Sequence, residues 1–204
     1  MSRPTAILVW LVLTIALAGC GSSSSSSNRA ATPASNSGLV GGLILNPPEH
    51  APALVLHDYT GPTVSLASMR GDAVFVTFVY THCPNVCPLI VSSLAAAQRS
   101  LGRVVSDVRF VAVTVDPRDD TPHAVRTFLA ARGALGRMDY LLGSRSVMEP
   151  IWKAWHVTVT LDQKQITHSS VVYGITATGR IAIVYPDNFS PQQIVHDVPL
   201  LERS

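Results

Sequence analysis

Ala73-Val74-Phe75-Val76-Thr77-Phe78-Val79-Tyr80, followed at once by Thr81-His82-Cys83-Pro84-Asn85-Val86-Cys87-Pro88 and then by Leu89-Ile90-Val91-Ser92-Ser93-Leu94-Ala95-Ala96-Ala97-Gln98-Arg99-Ser100-Leu101, is the stretch that decides the fold. The first run is almost unbroken in β-branched and aromatic residues, the pattern of a strand buried on both faces. The last run has apolar residues at helical spacing, good helix formers and a Gly102 stop, while Pro88 suits a first helical turn because its missing N–H is not needed there. The cysteines therefore fall at a strand-to-helix junction.

Outward from this unit the periods alternate. Val108 to Val115 reads as a second buried strand, and Thr121-Pro122 opens a helix through about Arg132, with Thr as the cap and Pro at the first position. Two such strands flanking a helix imply a parallel crossover. Tyr140 to Leu142 is a short strand, Ser146 to Trp155 a helix, and Val157 to Leu161, Ser169 to Thr176 and Arg180 to Tyr185 are strands, the last two joined by the turn Ala177-Thr178-Gly179. Ser190-Pro191 starts a closing helix, and Ala53 to Leu56 and Thr63 to Leu66 are short extended pieces around the turn Tyr59 to Pro62. This order is that of a thioredoxin-like α/β fold, a central mixed sheet flanked by helices with an inserted β-hairpin.

The chain begins MSRPTAILVWLVLTIALAGC, an early Arg followed by an apolar run too short to span a bilayer, which reads as a secretory signal over residues 1–19. Its end, Leu17-Ala18-Gly19-Cys20, resembles the bacterial lipobox, which implies lipidation of Cys20 and an extracytoplasmic protein lipid-anchored to the cell membrane. After Cys20 a serine run and other small polar residues make residues 20–42 a flexible tether, with a random-coil reach of roughly 25 Å. Residues 43–204 remain for one domain. The formal charge of +2, with no basic block, excludes a nucleic-acid footprint.

With Cys20 assigned to lipid, Cys83 and Cys87 are left as a pair. Placed at or just before a helix N-terminus, Cys87 is expected to have a lowered thiol pKa. The spacing allows a disulfide or two bonds to one metal ion. A purely structural crosslink over so short a loop adds little stability, and thioredoxin-type redox pairs have two intervening residues rather than three. Soft thiolates joined by an imidazole suit Cu(I). Metal and redox chemistry both stay open on these grounds.

The chain resembles the Sco/SenC family of membrane-anchored copper chaperones over about residues 50–200. The resemblance rests on Phe78 to Pro88, on Val113-Thr114-Val115-Asp116-Pro117-Arg118-Asp119-Asp120-Thr121-Pro122, and on His168-Ser169-Ser170. It implies a copper ion held by Cys83, Cys87 and His168, and delivery of that copper to the dinuclear copper site of cytochrome c oxidase or to another exported copper protein. It also implies an alternative enzyme role, in which the same cysteines act as a redox-active disulfide that reduces the cysteines of the acceptor, with a thiol reductant as a further partner. Family members commonly carry Asp before the histidine; Thr167 stands here, so a carboxylate that would orient the imidazole is missing. Asp116, at the carboxyl end of a strand, is a candidate to act from behind the ligands. His82 reads as exposed scaffolding beside a ligand, and Trp152 and Trp155 as core.

Overall fold

A computed structural model of the protein describes residues 38–102, 107–161 and 166–204. The signal segment, Cys20 and the serine-rich part of the tether lie outside the described residues. The elements run β1 (Leu43–His50), β2 (Val55–Asp58), β3 (Thr63–Ser65), β4 (Ala73–Val79), α1 (Val86–Leu101), β5 (Val108–Thr114), α2 (Pro122–Ala131), β6 (Asp139–Leu142), α3 (Arg145–Ala154), β7 (Val159–Leu161), β8 (Ile166–His168), β9 (Val171–Ile175), β10 (Arg180–Pro186) and α4 (Pro191–Glu202). A short 3-10 turn, Leu66–Met69, precedes β4.

One sheet has the order β1-β10-β9-β4-β5-β6-β2-β3. Strands β4, β5 and β6 are parallel, in register from Ala73 against Val108 up to Val79 against Thr114, and the other pairings are antiparallel. The sheet is mixed, with β4 near its centre. Every residue of β4 is buried, as the unbroken apolar run requires. Phe75 stacks on Phe110 with ring centroids 5.4 Å apart, and Phe78, Trp155 and Tyr173 form an aromatic cluster, with Trp155 5.3 Å from Tyr173. Both tryptophans are core: Trp152 donates its indole N–H to the Thr114 carbonyl at 3.0 Å, and Trp155 is fully buried.

The helices start and stop where their sequence signals lie. Thr121 caps α2 by accepting the Ala124 N–H, and Ser190 and Gln193 form a reciprocal capping box on α4. Helix α1 closes on Gly102, whose φ of 59° is the left-handed region that favours glycine. The hairpin β7-β8 forms a separate two-stranded sheet, Val159 opposite His168. Periodicity in the sequence marks a strand over Val157–Leu161 but none over Ile166–His168, because each partner is only three residues long.

The ordered domain reaches further toward the N-terminus than residue 43. Leu39 is buried, and the Val40 N–H donates to both carboxylate oxygens of Asp197 at 3.1 Å. Residues 38–42, read from composition as the end of the tether, are thus held on α4. Edge strand β1, also unforeseen, then pairs with β10. Asp197 is fully buried and also accepts from the Tyr185 hydroxyl at 2.7 Å and from His196 Nδ1 at 2.8 Å. Replacing Asp197 with Ala strands the buried Tyr185 hydroxyl and the Val40 N–H, and each orphaned buried donor costs about 1–3 kcal/mol. The expected loss is about 2–4 kcal/mol in urea unfolding; an unchanged midpoint would contradict the role given to this carboxylate.

Candidate metal centre

Strand β4 ends at Val79 and α1 begins at Val86, so residues 80–85 must turn from strand to helix while carrying Cys83. That loop is fixed by one buried carboxylate. Asp120 Oδ1 accepts from the Thr81 N–H at 2.8 Å and the Thr81 hydroxyl at 2.7 Å, while Oδ2 accepts from the Thr114 hydroxyl at 2.6 Å and the Tyr140 hydroxyl at 2.8 Å. Burial pulls the Asp120 pKa above the usual carboxylate value, and the four donors oppose that rise. Strands β5 and β6 and the cysteine loop are thereby tied to one group.

Helix α1 begins at Val86, so Cys87 and Pro88 both lie inside its first turn, where backbone N–H groups have no partner within the helix. Those N–H groups point back at Cys83. Its sulfur accepts from the Cys87 N–H at 3.4 Å, and its pKa is pulled down to about 5, first by the hydrogen bond with the Cys87 thiol and then, against burial, by the N–H groups of Cys87, Asn85 and Val86. Cys87 is fully buried, and its pKa is pushed far up, first because its thiol keeps its proton in a hydrogen bond to Cys83 and then because burial disfavours charge. The thiolate expected at Cys87 therefore belongs to Cys83. A residue inside the first turn faces the core, whereas one just before the helix meets its free N–H groups.

His168 is the last residue of β8 and meets the pair from the other side. Its Nδ1 lies 3.0 Å from the Ser169 carbonyl, which can only accept, so Nδ1 carries the proton and Nε2 presents a bare lone pair. That Nε2 sits 3.5 Å from Cys87 Sγ. Burial lowers the His168 pKa, which keeps the ring neutral and able to ligate. The Ser169 carbonyl does the orienting that the absent carboxylate at Thr167 would have done. Ser169 is itself tied to Thr158 through its N–H at 3.1 Å and its hydroxyl at 3.2 Å.

Tyr80 links the two halves of the site. Its ring lies edge-on to His168 at 5.8 Å, and its hydroxyl donates to the Ile166 carbonyl at 3.2 Å, fixing β8 to the end of β4. Burial, with the two sulfurs close by, pushes the phenol up to about 12, so it remains a neutral donor. Nothing in the spacing of the sequence marked Tyr80, because its contact is with a residue 86 positions away.

The sulfurs and the imidazole form a chain with Cys87 in the middle. Among the described residues, the ligating trio that lies within 4.8 Å of one another is His82, Asp116 and Asp120. Cys83, Cys87 and His168 do not meet that distance as a trio, so a side chain must shift for all three to reach one ion. The other trio makes a poor metal site, since Asp120 already accepts four hydrogen bonds. The Asp116 carboxylate is buried beside the loop and accepts the Asp119 N–H at 3.3 Å. His82 is exposed, with Nδ1 3.1 Å from the Thr81 hydroxyl.

A domain with two free thiols at a strand-to-helix junction, one of them a thiolate and the other facing a neutral imidazole, is a thiol-based metal or redox protein of thioredoxin-like fold. The SCO1/SenC family profile matches residues 46–201, and the chain belongs to that family. A SCO1 protein homolog of Bacillus subtilis is 28% identical over 145 residues, covering 68% of this chain and 75% of that protein. The structure of Bradyrhizobium japonicum ScoI with copper bound superposes with a TM-score of 0.67 at 22% identity, over 74% of this chain and 99% of that one. A SCO1/SenC family lipoprotein from Bacillus anthracis gives 0.68 at 22% identity, over 75% and 95%. BsSco, described as having a disulfide switch and as a member of the Sco family of cytochrome c oxidase assembly proteins, gives 0.66 at 26% identity, over 79% and 97%.

The asymmetry of the pair has a direct consequence in the reduced, metal-free protein. Iodoacetamide is expected to alkylate Cys83 with a pH midpoint near 5, since the thiolate is present above its pKa and lost below it, while Cys87 stays unmodified until the fold opens. Peptide mapping by mass spectrometry distinguishes the two; preferential labelling of Cys87 would contradict the assignment.

Proposed function

We propose that this protein is a membrane-anchored copper carrier that holds its cargo on Cys83, Cys87 and His168 and passes it to an exported copper protein, the dinuclear copper site of cytochrome c oxidase being the acceptor favoured by family membership. The observation that carries this reading is the bare Nε2 of a neutral His168 held 3.5 Å from Cys87 Sγ. A dithiol reductase has no need of that nitrogen, whereas a soft ion bound by few ligands does. The related ScoI structure with copper bound supports the cargo, and the description of BsSco supports the acceptor.

In this reading each residue has a separate task. Cys87 is buried, and the half-buried His168 has its ring oriented by the Ser169 carbonyl and Tyr80, so these two form the fixed side of the site. Cys83 is the more accessible of the two cysteines and the one whose thiol pKa is pulled down, so it is the ligand that captures the ion and the one an acceptor's ligand displaces first. Holding the metal requires Cys87 to give up its proton, which its burial resists until a cation is present to compensate.

A second reading, thiol-disulfide exchange with the acceptor's cysteines, is favoured by that same asymmetry. The Cys83 thiolate attacks one sulfur of a target disulfide and the other sulfur leaves as a thiolate. Cys87 then loses its proton and attacks Cys83, forming the internal disulfide and releasing the second target thiol. The target disulfide gains two electrons and the protein dithiol loses two.

Replacing His168 with Ala separates the readings. Cu(I) affinity measured in competition with a chelator is expected to fall by at least about tenfold, while the rate of exchange with a small disulfide stays largely unchanged. Unaltered copper affinity would contradict the three-ligand site.

Lipid anchoring through Cys20 rests on the signal segment and its lipobox-like end, with support from the related lipoprotein of Bacillus anthracis. Among the described residues no helix is long and apolar enough to cross a membrane. Fractionation of an expressing bacterium is expected to place the wild type with the membranes, with a diacylglyceryl mass on Cys20, and to move a Cys20→Ser variant out of them. Membrane retention of that variant would contradict the anchor.

A further inference from the structure

A groove of about 400 Å³ opens beside the cysteine loop, walled by Thr81 and His82 on one side and by His123, Thr127, Phe128 and Arg132 of α2 and its end on the other. Its titratable lining residues are His82, His123 and Arg132, and no carboxylate lines it. Asp116 and Asp120 lie behind His82, with atoms within 4.8 Å of its ring, but outside the lining: Asp120 is held by its four donors, Asp116 accepts the Asp119 N–H, and Asp119 pairs with Arg118 at 2.7 Å. Arg132 rests over the Phe128 ring at 5.3 Å, and its buried Nε–H has no acceptor within the protein. Among the described residues no carboxylate pairs with Arg132, so the groove carries a cation with no counter-charge in its lining, a setting that favours an anionic group from outside.

The position of the groove decides what would fill it. Cys87 is fully buried and Cys83 is half-exposed, so a protein that exchanges metal or disulfides here must approach Cys83. Thr81 and His82, which wall the groove, immediately precede Cys83 in the chain. We propose that this groove is a docking site for an acidic segment of the protein partner, whose Asp or Glu carboxylate pairs with Arg132 while its own cysteine meets Cys83. The inference rests on the exchange chemistry of the preceding reading and adds to it the charge of the partner.

The test uses the full-length protein, reduced and metal-free, and two synthetic peptides, one glutamate-rich and one lysine-rich, each carrying a cysteine as a mixed disulfide with 5-thio-2-nitrobenzoate. The Cys83 thiolate attacks the peptide sulfur, the new bond joins Cys83 to the peptide, and the nitrobenzoate thiolate leaves with the electron pair and is read by its absorbance. At low salt the glutamate peptide is expected to react about tenfold faster than the lysine peptide, with the gap shrinking as salt rises. Arg132→Gln, and His123→Glu at an exposed position where folding is not at risk, should each reduce the preference severalfold. Arg145→Gln, which removes a charge from the exposed Arg145–Glu149 pair outside the groove, should leave it intact. Equal rates for the two peptides in the wild type, or a preference that survives in both groove variants, would overturn the proposal. Copper stoichiometry measured in parallel separates the two inferences. A wild type that takes no copper but keeps the preference sinks the carrier reading and supports the groove, and one that takes copper without any preference sinks the groove.

Discussion

The site depends on the Asp120 carboxylate more than on any other single group. A loop that carries reactive sulfurs between a buried strand and a buried helix has its own backbone groups to satisfy and no ladder to satisfy them. Asp120 meets that need with Thr81 on one oxygen, and it joins Thr81 to Thr114 of β5 and Tyr140 of β6 on the other. A fully engaged buried network of this kind specifies one arrangement, because any alternative leaves a polar atom without a partner in a low-dielectric setting. Cys83 is two residues from that anchor, and Cys87 is in the first turn of the helix that follows.

From this fixed loop the chemistry of the sulfurs follows. The free N–H groups at the start of α1 stabilise negative charge on Cys83, and burial keeps the proton on Cys87. The proton on Cys87 lies between two acceptors, the Cys83 thiolate and His168 Nε2. A soft cation would take the place of that proton. The same two sulfurs cannot form a disulfide and hold an ion together, so in the proposed reading the redox state of the pair would decide whether cargo can be carried, and the carrier and reductase readings would be alternative states of one site.

Much of this was legible in the sequence. The unbroken run Ala73–Val79 announced a central strand, Gly102 and Thr121-Pro122 marked helix ends, and the spacing of Cys83 and Cys87 at a strand-to-helix junction pointed to metal or redox chemistry. What sequence could not supply was long-range contact. Tyr80 acts through Ile166 and His168, Asp120 through Thr81 and Tyr140, and the Ser169 carbonyl is a backbone group that no residue type reveals. The lowered thiol pKa falls on Cys83 rather than Cys87 because α1 begins at Val86, one to two residues before the start that Pro88 signals, which takes Cys87 from the helix mouth into the core. Strand β1 was hidden by the composition around Asn46-Pro47-Pro48, which breaks the alternation that would mark an edge strand, and its register against β10 is irregular there.

The central claim is that two sulfurs and one imidazole nitrogen share one copper ion. X-ray absorption at the copper edge of the reduced protein loaded with a single equivalent of Cu(I) tests it most directly. The account predicts a first shell of two sulfurs and one nitrogen, with the outer-shell scattering of an imidazole ring. A shell of two sulfurs alone, without the imidazole signature, would contradict it.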